Sequence, residues 1–166
     1  RKAWLHGLSP RENRTVPPLD RARVHRLKLR LPEVFVGING GLRTIDDAAA
    51  ELARVDGAML GRAACETPMI LAEADRCIYG EDTKPADAFE VVERMIVYAE
   101  RECARGTRIH HITRNMLGLF HGRPGARLWR QRLSVGASRS GSGPEVIHEA
   151  LDAMKRDAPQ EERAAA

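Results

Sequence analysis

The stretch from Val34 to Thr67, VFVGINGGLRTIDDAAAELARVDGAMLGRAACET, sets the tightest limit on what this chain can fold into. Val34, Val36 and Ile38 alternate with Phe35 and Gly37 in a run of little polarity, the pattern of a short strand covered on both faces, and the run stops at Asn39-Gly40-Gly41. Thr44 followed three residues later by Asp47 is a capping signature, and Ala48, Ala49, Leu52 and Val55 supply a helix with its apolar stripe. Asp56-Gly57 then turns the chain into a second short strand, Ala58-Met59-Leu60, which ends at Gly61-Arg62. Two successive parallel strands place their two glycine-bearing ends side by side.

That juxtaposition suits an anion. Glycines let a phosphate reach bare backbone N–H groups, an arginine adds a charge that forks onto two oxygens, and a helix start adds its dipole. In a (β/α)8 TIM barrel the loops after the last two strands form such a phosphate site. The stretch therefore reads as a phosphate cradle, with plain turn glycines as the competing reading. The strand and helix pattern up to residue 80 supplies only two clear strands, whereas a closed barrel takes eight. The opening Arg1-Lys2-Ala3-Trp4-Leu5 also reads as the middle of a longer chain. The expectation is an incomplete, C-terminal part of a barrel.

Residues 6–18, HGLSPRENRTVPP, carry turn signals and no apolar period, so they read as a long loop presenting Arg11 and Arg14. Asp20 caps a helix in which Val24, Leu27 and Leu31 face inward and Arg21, Arg23, Arg26, Lys28 and Arg30 face out, until Pro32 stops it. Thr67-Pro68 starts another helix, Thr as cap, that runs to about Tyr79 and is closed by Gly80.

Beyond Gly80 the pattern is helical without strands, after the hinge-like linker Glu81-Asp82-Thr83-Lys84-Pro85. Phe89, Val92, Met95, Ile96 and Ala99 define a long amphipathic helix that ends before Gly106. A second helix is predicted from Ile112 to Phe120, a third after Pro124 with Leu128 and Trp129, and a fourth after Pro144 with Val146, Ile147, Leu151 and Met154. Gly136 to Gly143 is a Ser-rich link. The organisation is thus α/β followed by all-α: residues 1–80 as the barrel part, 81–156 as a small helical bundle, and 157–166 as a disordered tail.

Charge is concentrated in the bundle. Between residues 101 and 132 stand Arg101, Arg105, Arg108, Arg114, Arg123, Arg127, Arg130 and Arg132, opposed by Glu102 alone. Arginine without lysine suits phosphate backbones, and Arg127 and Arg130 share one face of a helix. A solvated charged face is the bland alternative. The formal net charge of +4 leans toward polyanions, while aromatics at 4% argue against a surface of base-stacking platforms. Cys65, Cys77 and Cys103 fit neither a disulfide framework nor a zinc motif, which points to a reduced, cytoplasmic setting. Cys65 reads as a small buried residue. His110 and His111 point apart on a helix and lack a carboxylate partner, so no metal site is expected. No apolar run approaches the roughly 20 residues of a membrane span.

Four stretches, RKAWLHGLSPRENRTVPPLD, INGGLRT, DGAMLGRAACETP and HITRNMLGLFHGRPGARLWRQRLS, closely resemble the tRNA-dihydrouridine synthases of the A type. The resemblance runs from Arg1 to about Met154. It implies a flavoprotein that uses FMN, reduced by NADPH, to saturate the C5–C6 bond of uridines in the D-loop of tRNA. Carried over by position, it places Asn39, Gly40, Gly41, Gly61 and Arg62 at the FMN phosphate, and Arg11, Arg14, Arg127 and Arg130 against tRNA. The family's general-acid cysteine lies in an N-terminal half that this sequence does not contain, and Cys65, Cys77 and Cys103 do not occupy its motif. The chain by itself is therefore expected to be inactive. Two other readings stand beside this one. Another phosphate-binding barrel enzyme with a small-molecule substrate would use the bundle for oligomerisation. A non-catalytic RNA-binding protein with a vestigial barrel would bind tRNA without flavin.

Overall fold

The computed structural model describes residues 6–16 and 18–157, and the side chains of Arg14 and Asp157 fall outside that description, as do residues 1–5, 17 and 158–166. The tail expected over 157–166 therefore lies, beyond Asp157, outside the described residues. By compactness the chain divides between Gly61 and Arg62 into two units.

The first unit opens with α1 (Pro10–Thr15), where the sequence predicts a loop. The cause is local. The Glu12 carboxylate accepts from the Ser9 N–H at 2.8 Å, the Ser9 hydroxyl accepts from the Glu12 N–H, and Pro10 takes the first helical position. Next, α2 (Arg21–Arg30) starts as expected, with the Asp20 side chain accepting from the Arg23 N–H at 3.0 Å. Its facing differs from expectation. Leu27 and Leu31 are exposed, whereas Arg21 and Lys28 reach inward to the carboxylates of Glu51 and Asp56. Of the three apolar residues predicted to face inward, only Val24 packs on the core.

Strands β1 (Gly37–Asn39) and β2 (Gly57–Met59) pair in parallel, Gly37 opposite Gly57 and Asn39 opposite Met59, with α3 (Ile45–Leu52) as the crossover. Reciprocal bonds between Thr44 and Asp47 cap α3 as predicted. The run from Val34 is not a strand covered on both faces: Val36 and Ile38 are buried, but Phe35 is 74% exposed and β1 begins only at Gly37. Phe35 instead lays its ring over the glycine pair, and a β-carbon on Gly57 would lie 3.0 Å from the ring. Asp56 fixes the register by donating its N–H to the Val36 carbonyl at 2.9 Å and accepting the Val36 N–H on its carboxylate at 2.8 Å. Val36, Ile38, Leu42 and Val55 form the core of this unit.

The second unit begins with α4 (Arg62–Glu66), a 310 helix (Pro68–Glu73) and α5 (Ala74–Tyr79), which Gly80 ends at a φ of 70°. One continuous helix with Thr67 as its cap was the expectation. Thr67 makes no side-chain cap, because its N–H bonds back to the Ala63 carbonyl at 2.8 Å and so belongs to the end of α4. Then come α6 (Ala88–Ala104), with a capping box between Asp87 and Glu90, α7 (Ile109–Thr113), α8 (Ala126–Ala137) and α9 (Glu145–Asp157). The stripes read for α6 and α9 are buried as predicted except at Met95, which is half-buried, and Phe120, Trp129 and Leu133 complete their core, onto which Met69 also packs.

The helix predicted from Ile112 to Phe120 is only α7, continued by a run of turns held by i to i−3 bonds such as Met116 N–H to Thr113 O and Leu119 N–H to Met116 O. Tertiary contact decides this. A β-carbon on Gly118 would collide with the Glu66 carbonyl, so the bare α-carbon lets these turns lie against the end of α4. Among the described residues no helix is long and apolar enough to cross a membrane.

Candidate cofactor-phosphate and nucleic-acid sites

In the first unit the parallel pairing of Asn39 with Met59 sends two segments off the same edge, Gly40-Gly41 from β1 and Leu60-Gly61 from β2. Asn39 thus lies opposite Met59, with Gly40-Gly41 following the one and Gly61 two residues after the other. Gly40 and Gly41 have φ of 123° and 72°, a region that side-chain-bearing residues rarely adopt, and Leu19 packs where their β-carbons would stand. Gly61 differs, since nothing lies within 4 Å of the place its β-carbon would take. Arg62, the next residue in the chain, is exposed and opens α4 as the first residue of the second unit.

Beneath Gly40 lies a group the sequence reading passed over. Glu51, on α3, is buried, and it accepts from Arg21 Nη1 at 3.0 Å and bonds His25 Nε2 at 2.6 Å. Arg21 also donates from Nη2 to the Gly40 carbonyl at 3.4 Å. The His25 hydrogen bond holds the Glu51 carboxyl below its ordinary pKa, against burial, which pushes the other way, and the charges of His25 and Arg21 add to the lowering. At the start of α3, the Arg43 and Thr44 N–H groups bonded to Asp47 lower its pKa in turn. The spacing of Arg21 and His25, one helical turn apart, puts them on one face of α2, but nothing in the sequence singles out Glu51, 30 residues from Arg21, as their partner.

Of the predicted nucleic-acid residues in this unit, Arg11 is exposed on α1, and Arg14 shares that helix but its side chain is outside the description.

In the second unit the arginine cluster separates into two kinds. Arg101 and Arg105 share Glu102, each at 3.1 Å, and Arg123 pairs with Asp87 at 3.1 Å. Arg127 and Arg130 are exposed, three residues apart on α8, and make no ion pair among the described residues. Arg132 and Arg139 line a shallow groove of about 250 Å³ with Leu128, Val135 and Glu149. Arg139 lies beyond the window in which the sequence concentrates charge.

Two side-chain expectations need correction. The rings of His110 and His111 do not point apart: their centroids are 4.0 Å from each other, and the His110 charge is the first cause of the lowered pKa of His111. Cys65 is exposed, not buried, because α4 turns it outward. Among the described residues no group of three or more His, Cys, Asp or Glu side chains is placed to hold a metal ion.

A parallel βαβ crossover with glycine-ended strands, followed by a helical unit with an arginine-bearing surface, defines a mostly helical α/β protein. The chain belongs to the dihydrouridine synthase family, whose model, described as "Dihydrouridine synthase (Dus)", matches residues 2–157. It is 50% identical over 151 residues to the "tRNA-dihydrouridine(20/20a) synthase" of Salmonella typhimurium, covering 91% of this chain and 46% of that protein. The protein of the same name from Escherichia coli strain K12 is also 50% identical, with 91% and 44% covered. That of Vibrio parahaemolyticus is 43% identical over 157 residues, with 95% and 48% covered. The chain thus spans about half the length of the curated relatives it matches.

Proposed function

We propose that this chain is the C-terminal portion of an A-type, FMN-dependent tRNA-dihydrouridine synthase, which reduces D-loop uridines at the positions, 20 and 20a, that its relatives' names print. The observation that carries the reading is the 50% identity over 91% of the chain. In this reading residues 1–80 are the last part of an FMN-binding TIM barrel, 81–156 a tRNA-binding helical bundle, and the protein works in the cytoplasm.

The residues fit a flavin phosphate. Gly40 and Gly41 offer a turn without β-carbons, Gly61 leaves open space, and Arg62 follows with a charge that pairs with two phosphate oxygens. Asn39 ends β1 beside them. When bound, FMN reduced by NADPH would supply the hydride, and an acid the proton, that together saturate the C5–C6 bond. This chain contributes grip. Its glycine loops and Arg62 hold the phosphate end of the cofactor, while Arg127 and Arg130, with Arg11 and Arg14, neutralise tRNA phosphates while the target base leaves its stack. None of Cys65, Cys77 and Cys103 is assigned as the acid.

The test uses unmodified tRNA with NADPH and FMN, and mass spectrometry of the digested nucleosides. The protein at its relatives' length should form dihydrouridine and this chain alone should not. Product from the chain alone would refute the division of labour, and no product from the long form would refute the activity.

A further inference from the structure

Burying a carboxylate is costly unless it is well paired, and Glu51, at 7% exposure, is the deepest charged group among the described residues of the first unit. Both of its partners come from one helix: Arg21 and His25 stand one turn apart on α2 and bond its two different oxygens at 3.0 and 2.6 Å. A pair serving only to pin α2 to α3 would end there. Arg21 goes further, because its second terminal nitrogen reaches the Gly40 carbonyl at 3.4 Å while the first stays on Glu51. Gly40 is the first of two successive positive-φ residues in the turn after β1. That turn is thus held by Leu19 packed against its α-carbons and by a guanidinium on its carbonyl, and the guanidinium is itself fixed by a buried anion.

We propose that Arg21 and Glu51 are positioning residues that hold the Gly40-Gly41 turn in the one form able to receive a phosphate, so that the site selects a phosphorylated flavin over its unphosphorylated counterpart. The inference rests on the phosphate-cradle reading above. Its physical basis is preorganisation. A glycine pair has the largest choice of backbone conformations of any dipeptide, and a loop free to sample them must be ordered at the expense of binding. Fixing one carbonyl in advance removes that cost. The guanidinium reaches carboxylate and carbonyl from two separate nitrogens held at a fixed spacing, a reach that a lysine ammonium, with its donors on one nitrogen, does not reproduce at this site.

The sign of one substitution separates positioning from simple charge. Glu51 is an anion near the turn, so if electrostatics alone governed, Glu51→Gln would strengthen phosphate binding. If Glu51 holds Arg21 in place, the same change weakens it. Arg21→Lys gives a second, fold-tolerant contrast at a side chain 35% exposed: it keeps the charge and loses the bridge.

The experiment titrates FMN and riboflavin, by quenching of flavin fluorescence, into the flavin-free protein at its relatives' length, with melting recorded for each variant. Glu51→Gln and Arg21→Lys should each weaken FMN binding by roughly tenfold and leave riboflavin binding within about twofold. Wild-type FMN-to-riboflavin discrimination in both variants, or tighter FMN binding by Glu51→Gln, would overturn the proposal even if melting temperatures fall, since that pattern is purely structural. A wild-type protein that binds the two flavins equally would remove the cradle reading, and this inference with it.

Discussion

The indole N–H of Trp129 donates to the main-chain carbonyl of Met116 at 2.9 Å, in a core where Trp129 is fully buried. The bond joins α8 to the turns that replace the expected helix, and it occupies the second lone pair of a carbonyl that also accepts the Leu119 N–H at 3.1 Å. The Phe120 ring, edge-on to Trp129 with centroids 4.9 Å apart, closes the same corner.

Trp129→Phe keeps an aromatic ring but removes the donor. The Met116 carbonyl keeps the Leu119 N–H, so losing the indole bond should cost about 0.5–1.5 kcal/mol, with the smaller ring's cavity adding to it. Urea denaturation read by far-UV circular dichroism checks this, and an unshifted midpoint would mean that the turn segment relaxes to find another donor.

Acid should reveal the Glu51 network. Glu51 has a lowered folded-state pKa, so the stability it contributes is present above its unfolded value, near 4.5, and is lost as pH falls through the folded value. Glu51→Gln should therefore be less stable than wild type at neutral pH, with the gap closing below about pH 4. Denaturant midpoints measured from pH 7 down to pH 3 give the two curves; parallel curves would contradict the assignment.

Arg62→Ala, in the protein at its relatives' length, should weaken FMN retention by roughly 1.5–3 kcal/mol, the worth of a charge-assisted phosphate contact. Flavin absorbance per mole of purified protein reports the loss. Flavin content equal to wild type would take Arg62 out of the cradle.

Arg127 and Arg130 are the pair on α8 without acidic partners among the described residues, so both should be available to RNA phosphates. Replacing both with Ala should lower tRNA affinity and flatten the slope of log K against log salt by about two units at most, leaving flavin content alone. Arg101→Ala serves as the control, since Glu102 already engages that guanidinium. Equal losses from the control and from the α8 pair would leave the α8 surface as an ordinary solvated face.

What the sequence determined by itself was local. The Thr44–Asp47 cap, the stripes of α6 and α9 and the glycine that ends each strand follow from residues within a few positions of one another, where period and cap chemistry act directly, and the concentration of arginine is read from composition alone. The helix α1 was legible in the same way, in Ser9 and Glu12, but proline and glycine nearby suggested a loop. Tertiary structure alone decided the rest. Glu51 is 30 residues from Arg21 in the chain, and Arg123 is 36 from Asp87, so neither the burial of that carboxylate nor the pairing of that arginine leaves a mark on local periodicity. The turns from Asn115 to Arg123 were likewise fixed from outside, by the Glu66 carbonyl against Gly118 and by the Trp129 indole on Met116. An apolar spacing states which residues avoid water, but the partner that covers them, and the polar group that each buried carbonyl finds, depend on segments far away in the chain.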